Sequence, residues 1–178
     1  MGKRSDFPRR KHDTYDTPRE AVEPLRGHLP RRAPYWEPCA GSGALIRALS
    51  FGNCVACSDI EPRGLDGWMQ RADALSVGQK SVAMAEADYI ITNPPWTRQI
   101  LHPMIDHFAH LRPTWLLFDA DWMHTKQAAP YLKMCRKIVS VGRVSWMQNG
   151  QTGKDNCAWY LFDAYDTGPA RFFGRAAQ

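Results

Sequence analysis

No apolar run in the 178 residues approaches the roughly 18–20 needed to cross a bilayer. The first eleven residues are charged with no apolar stretch behind them, so no secretory signal is expected, and the expected location is the cytoplasm, with no membrane partner. Internal repeats and low-complexity tracts are missing. The 13 glycines and 13 prolines are dispersed, which excludes collagen-like and Pro-rich linker architectures. Cysteine is scarce as well: five residues without a signal point to free thiols rather than a disulfide framework. The single CxxC pair, Cys54 and Cys57, falls in a stretch that reads as a strand, where residues three apart face opposite ways and the two sulfurs diverge. With no second Cys/His pair at finger spacing, no metal site is expected.

The composition, 44% hydrophobic and 23% charged, is that of one globular domain. That domain is expected over residues 15–165, after a basic arm (1–14) and before a C-terminal tail (166–178). The net charge is +5, and Lys3, Arg4, Arg9, Arg10 and Lys11 crowd the start of the chain. A basic arm on a mildly basic body suits a polyanion, and a tail that only keeps the protein soluble fits equally well.

Strand-like and helical stretches alternate. Thr17-Pro18-Arg19-Glu20 has the form of a helix start, with a Thr N-cap, Pro at the first helical position and a capping-box Glu. A strand over Ala33–Glu37 leads into a helix through Ala44–Leu49 that Gly52 is expected to cap. Strands follow at Val55–Ile60 and Asp88–Thr92. A helix then carries Met104, Ile105, Phe108 and Leu111, with Pro103 in its first turn. Thr114–Phe118 reads as a strand, and a helix near Gln127–Met134 is interrupted by Pro130. Lys137–Trp146 and Cys157–Phe162 read as adjacent strands joined by a polar loop, which should pair antiparallel. The class is α/β: a Rossmann-like, doubly wound, mostly parallel seven-stranded sheet with an antiparallel edge hairpin, in three layers.

Glu37-Pro38-Cys39-Ala40-Gly41-Ser42-Gly43 lies between the first strand and a helix, where such a sheet binds nucleotide-like ligands. Residue 46 is Ile, which weakens a dinucleotide reading, and no Lys-Ser/Thr follows the turn, which excludes a Walker A loop. Asp59 ends the second strand, where a carboxylate can accept from ribose hydroxyls; helix capping is its local alternative. Asp73 is placed to accept from an adenine amino group, with a surface turn as its alternative. At the end of the next strand stands Asn93-Pro94-Pro95-Trp96.

With those residues in order, the chain resembles class I S-adenosylmethionine-dependent methyltransferases, and most closely the branch typified by DNA adenine-N6 methyltransferases. The resemblance runs from about Tyr15 to Phe162. It implies S-adenosylmethionine as cofactor, held by Glu37, Pro38, Cys39, Ala40, Gly41, Gly43, Asp59, Ile60, Asp73, Ala74 and Asn93. Tyr15, Asp16, Thr17 and Pro18 look like the segment that precedes the cofactor loop and closes over the methionine end. Asn93, Pro94, Pro95 and Trp96 match the family's catalytic tetrapeptide. The chemistry agrees, because the exocyclic amine of adenine is a poor nucleophile. Carbonyl acceptors at Asn93 and Pro94 can draw its lone pair out of the ring, and Trp96 offers a face on which a flipped or single-stranded base can stack. The implied partner is nucleic acid, DNA ahead of RNA. No segment is long enough for a target-recognition domain, so selectivity should be short or low, as in small members carried by phages and mobile elements. RNA adenine and a protein glutamine amide, which poses the same two-hydrogen problem, remain as substrates; a non-catalytic nucleic-acid-binding module is a distant third.

Overall fold

The computed structural model describes residues 14–65, 67–147, 152–153 and 155–175. The chain opens with α1 (Arg19–Val22) and a 3-10 helix (Glu23–His28), then alternates β1 (Pro34–Glu37), α2 (Ala44–Ala48), β2 (Asn53–Asp59) and β3 (Gln70–Arg71). It continues through α3 (Val82–Glu86), β4 (Tyr89–Thr92), α4 (Arg98–Ala109), β5 (Thr114–Asp119) and α5 (Ala129–Leu132) to β6 (Cys135–Gly142), β7 (Cys157–Phe162) and β8 (Arg171–Phe173). All eight strands form one sheet in the order β3-β2-β1-β4-β5-β7-β6-β8. Strand β7 is antiparallel to both β5 and β6, and the other pairs are parallel. The α/β, mostly parallel expectation therefore holds, with two differences. The sheet has eight strands rather than seven, and the β6–β7 hairpin is not the edge. Arg171–Phe173, in the stretch expected to be tail, pairs with Lys137–Val139 and covers it.

The period-2 alternation of the strands divides the core between the two sheet faces. Leu116 and Phe118 of β5 pack with Ile90, Phe108, Tyr160 and Phe162 on one face, beneath α4. Trp115 and Leu117 of the same strand pack with Ile91, Trp159, Leu25 and Leu45 on the other. The layer beneath α4 is closed by large aromatics: Phe118 stacks on Tyr160 with centroids 4.2 Å apart, and Trp36 meets Phe108 edge-on at 5.9 Å. Two buried indoles find partners, Trp159 Nε1 donating to the Ala21 carbonyl at 2.7 Å and Trp36 Nε1 to Ser58 Oγ at 3.2 Å. Trp115, Trp122 and Trp159 are core residues, whereas Trp146 is half-buried. Among the described residues no helix is long and apolar enough to cross a membrane.

Several local expectations are corrected by long-range contacts. Thr17 is not a helix cap: Pro18 takes that position with no side-chain capping bond. Glu20 does not close a capping box; its Oε1 accepts the Ser145 amide at 2.8 Å and ties α1 to the segment after β6. Gly52 does not cap α2, which ends at Ala48. A Cβ on Gly52 would lie 2.9 Å from the Tyr35 ring, so the position is small for lack of room. Pro103 sits inside α4 because the helix begins at Arg98, earlier than expected. Pro130 starts α5 rather than interrupting a helix.

Because Phe118 anchors this stack and is fully buried, Phe118→Ala should cost about 3–5 kcal/mol of stability, read as a lower urea midpoint. A loss below about 1 kcal/mol would show that Phe118 is not packed in the core as described.

Candidate functional site

Strands β1, β2 and β4 run parallel, so their carboxyl ends emerge on one edge of the sheet. A cavity of about 330 Å³ opens there. It is bounded on one side by the turn after β1, on another by the end of β2 and the Asp73 turn, and it is roofed by residues 14–17.

The turn after β1 contributes Glu37, Pro38, Cys39, Ala40 and Gly41 to the cavity wall. Its path is fixed by backbone bonds: the Ala40 amide donates to the Ser58 carbonyl at 3.0 Å, and the Gly41 amide donates to Asp59 Oδ2 at 2.7 Å. Gly41 has φ +54°, and a Cβ there would lie 2.7 Å from the Arg63 guanidinium. The positive φ favours glycine, while the Arg63 contact is with the movable end of a flexible side chain. Gly43 does not line the cavity; at φ +80° it is the N-cap of α2, turning the chain into that helix.

Asp59 lines the cavity with both oxygens engaged, since Oδ1 also accepts the Glu61 amide at 2.7 Å. Asp59 is not a helix cap, since no helix lies between β2 and β3 among the described residues; one carboxylate oxygen closes a turn at Glu61 and the other holds the glycine loop. Ile60 follows it at the cavity wall, 57% exposed. Asp73 also lines the cavity while its Oδ1 accepts the Leu75 amide at 3.0 Å, capping the 3-10 turn Ala74–Ser76. Ala74, buried, completes that wall.

At the end of β4, Asn93 and Pro95 line the cavity. Pro94 is buried behind them, and neither it nor Trp96 is part of the wall. Asn93 Nδ2 donates to Thr17 Oγ1 at 3.2 Å, and Trp96 Nε1 donates to Asn93 Oδ1 at 3.2 Å. The Trp96 ring stands perpendicular to Trp146, centroids 5.5 Å apart. Tyr15 and Thr17 reach the cavity; Pro18 faces away, into a second groove with Arg19 and Arg47.

Sequence reasoning places Asp16 only within the segment 15–18, with no role of its own, and misses Arg63. Asp16 Oδ1 accepts from Ser42 Oγ at 2.7 Å and from Arg63 at 3.3 Å, strapping the roof to the glycine loop and to the segment after β2. Arg63 lies in an aperiodic stretch with no signal beyond its charge. Met104 of α4, which also reaches the cavity, is marked only by its helical spacing, and Ile100 beside it is not marked at all.

Glu37 is the electrostatic anomaly. It is 1% exposed, and its Oε2 has no hydrogen-bond partner among the described residues. Burial first, and the nearby Asp59 charge second, push its carboxyl well above the ordinary carboxylate range. Burial likewise pushes up the Cys39 thiol beside it. Among the described residues no cluster of His, Cys, Asp and Glu could hold a metal ion.

No family profile and no curated protein matches the chain. Solved structures do. One, from Pyrococcus horikoshii and assigned as an RNA methyltransferase, superposes with a TM-score of 0.59 at 15% identity, over 90% of this chain and 91% of that one. The methyltransferase subunit of a type I restriction-modification system from Streptococcus thermophilus gives 0.60 at 8% identity, over 90% of this chain and 47% of that one. A dimethyladenosine transferase from Plasmodium falciparum gives 0.51 at 16% identity, over 83% and 62%. The chain shares the Rossmann-like fold of these methyltransferase structures. The chain spans about half the length of the restriction subunit and nearly all of the archaeal protein.

The Glu37 environment has a consequence for stability. Between the ordinary value of 4.5 and its raised value, the folded chain holds a proton that the unfolded chain has lost. Stability must therefore fall as pH rises through that window. Glu37→Gln should match the parent near pH 4 and become the more stable protein by pH 8, read by denaturant unfolding across the range. A difference that does not change with pH would mean that Glu37 is not held protonated by its surroundings.

Proposed function

We propose that this chain transfers a methyl group from S-adenosylmethionine to the exocyclic N6 of adenine in nucleic acid, DNA ahead of RNA. The carrying observation is the Asn93 amide at the carboxyl end of β4, on the cavity wall and held in place from two sides. The net charge of +5 supports a polyanionic partner. The five basic residues of the arm lie outside the described residues.

The cavity residues fit the cofactor. Glu37 offers a buried carboxyl oxygen with no partner among the described residues, which an N–H donor would satisfy. Gly41 leaves the backbone open to close approach, Asp59 and Asp73 supply acceptors for hydroxyl and amino groups, and Ala74, Ile100 and Met104 make an apolar wall suited to a purine. When bound, S-adenosylmethionine would supply an electrophilic sulfonium methyl whose C–S electron pair would stay with the departing thioether, and the methylated amine would then release one of its two hydrogens as a proton to solvent.

The remaining work falls to this chain's own groups. Asn93 Oδ1 has two lone pairs, and the Trp96 indole uses one. The other can accept an adenine N6 hydrogen, drawing the nitrogen towards tetrahedral geometry. Pro94 and Pro95 fix two successive φ angles and so hold the peptide carbonyls at this turn rigid. Trp96 supplies a flat surface for an extruded base, a stacking contact worth about 1–3 kcal/mol. Most of the rate gain would come from alignment rather than acid–base catalysis.

Incubating the protein with methyl-tritiated cofactor and DNA, RNA or protein in parallel, followed by nucleoside mass spectrometry, tests this reading. Label is expected in N6-methyladenine, most strongly with DNA. In Asn93→Ala, transfer should fall below detection while cofactor affinity stays within a few-fold. Label in protein glutamine, or near-parent turnover by Asn93→Ala, would overturn the assignment.

A further inference from the structure

We propose that Thr17 is a positioning residue for Asn93, and that Thr17 and Trp96 together form a clamp that keeps the Asn93 amide oxygen, not its NH2, available to the target amine. The inference rests on the methyl-transfer reading for its consequence in turnover, though not for the clamp itself.

An asparagine amide can turn over by a 180° rotation that exchanges acceptor for donor, and its orientation follows from its neighbours. The indole Nε1–H of Trp96 can only donate. The Asn93 atom that it meets at 3.2 Å is therefore the oxygen. The NH2 is then directed to Thr17 Oγ1, also at 3.2 Å, where a hydroxyl can accept. The indole sets the orientation, because flipping the amide would set NH2 against the indole N–H and lose that bond; the Thr17 hydroxyl, able to accept or donate, fixes the other end of the amide in the orientation the indole selects. A flipped amide would also present a donor to an amine whose hydrogens need acceptors.

The placement of Thr17 fits this use. It is 76 positions away in sequence, only 6% exposed, and free of the helix-capping duty its sequence context suggests. It sits in the segment that roofs the cavity, and Asp16 beside it is strapped to Ser42 and Arg63. A well-seated roof thus brings Thr17 to the Asn93 amide. Trp96 gains a role that a phenyl ring at the same position would not fill, because it carries no hydrogen-bond donor.

Three variants test the clamp. Thr17→Val keeps the shape and removes the acceptor; Thr17→Ser restores it; Trp96→Phe keeps a stacking face and removes the donor. The cost of one neutral hydrogen bond predicts that kcat for adenine methylation falls about 3- to 10-fold in Thr17→Val and Trp96→Phe. KM for nucleic acid and for cofactor should stay within about 3-fold, and Thr17→Ser should recover most of the loss. The Asn93 side-chain NH2 resonances, assigned through Asn93→Ala, report the clamp without any turnover. They should shift, and their solvent exchange should quicken, in Thr17→Val but not in Thr17→Ser. Unchanged resonances in Thr17→Val would overturn the clamp whatever the protein methylates. Shifted resonances with unchanged kcat, or a Thr17→Val defect confined to cofactor affinity, would overturn its proposed effect on the reaction. Shifted resonances in a protein that methylates nothing would leave the clamp standing and remove the methyl-transfer reading instead.

Discussion

One carboxylate organises this edge of the sheet. Asp59 accepts the Gly41 amide on one oxygen and the Glu61 amide on the other, both at 2.7 Å. A charge-assisted bond of that length holds the glycine turn after β1 to the end of β2. The turn can then keep φ +54° at Gly41, which brings Arg63 against the loop and lets the Arg63 amide donate to the Gly41 carbonyl at 2.9 Å. Arg63 and Ser42 in turn hold Asp16, and the roof segment that includes Asp16 sets Thr17 against Asn93. The ends of β1, β2 and β4 and the residues before α1 are thus linked by a continuous series of hydrogen bonds that begins at Asp59.

The same edge carries an unfavourable feature. Glu37 is buried a few residues from Gly41, its Oε2 lacks a partner, and Asp59 adds repulsion. A buried carboxyl of this kind costs stability, and such groups concentrate where a ligand must be met. The two aromatic-rich layers behind the site supply the rigidity that tolerates it. Phe118 on Tyr160, Trp36 on Phe108 and the bonded Trp159 indole hold the strands whose ends form the cavity.

What the sequence disclosed was local. Alternation marked the strands, and the glycine turn, Asp59 and Asn93–Trp96 were identifiable because each sits at a strand end with a residue type that suits the position. What it hid was long-range. Thr17-Pro18-Arg19-Glu20 has every local mark of a capped helix, yet Thr17 bonds to Asn93 and Glu20 to the Ser145 amide, 125 positions away. Strand β3 has two residues and β8 three, with Arg171 and Phe172 exposed, so neither has a core face from which a period could be read. Parallel pairing of β8 with β6 adds an edge that alternation cannot anticipate. Arg63 and Asp16 meet across 47 positions, and nothing in the neighbourhood of either indicates the other.

The central claim is that the cavity bounded by Glu37, Gly41 and Asp59 holds S-adenosylmethionine. Titration calorimetry of that cofactor against the parent protein and Asp59→Asn tests it most directly. Asparagine keeps one acceptor for the Gly41 amide but loses the charge and the second acceptor. The parent should bind one equivalent, and the variant, folded by circular dichroism, should bind at least about tenfold more weakly, the loss expected of a charge-assisted hydrogen bond. No measurable binding to the parent, or equal affinity in Asp59→Asn, would contradict the account.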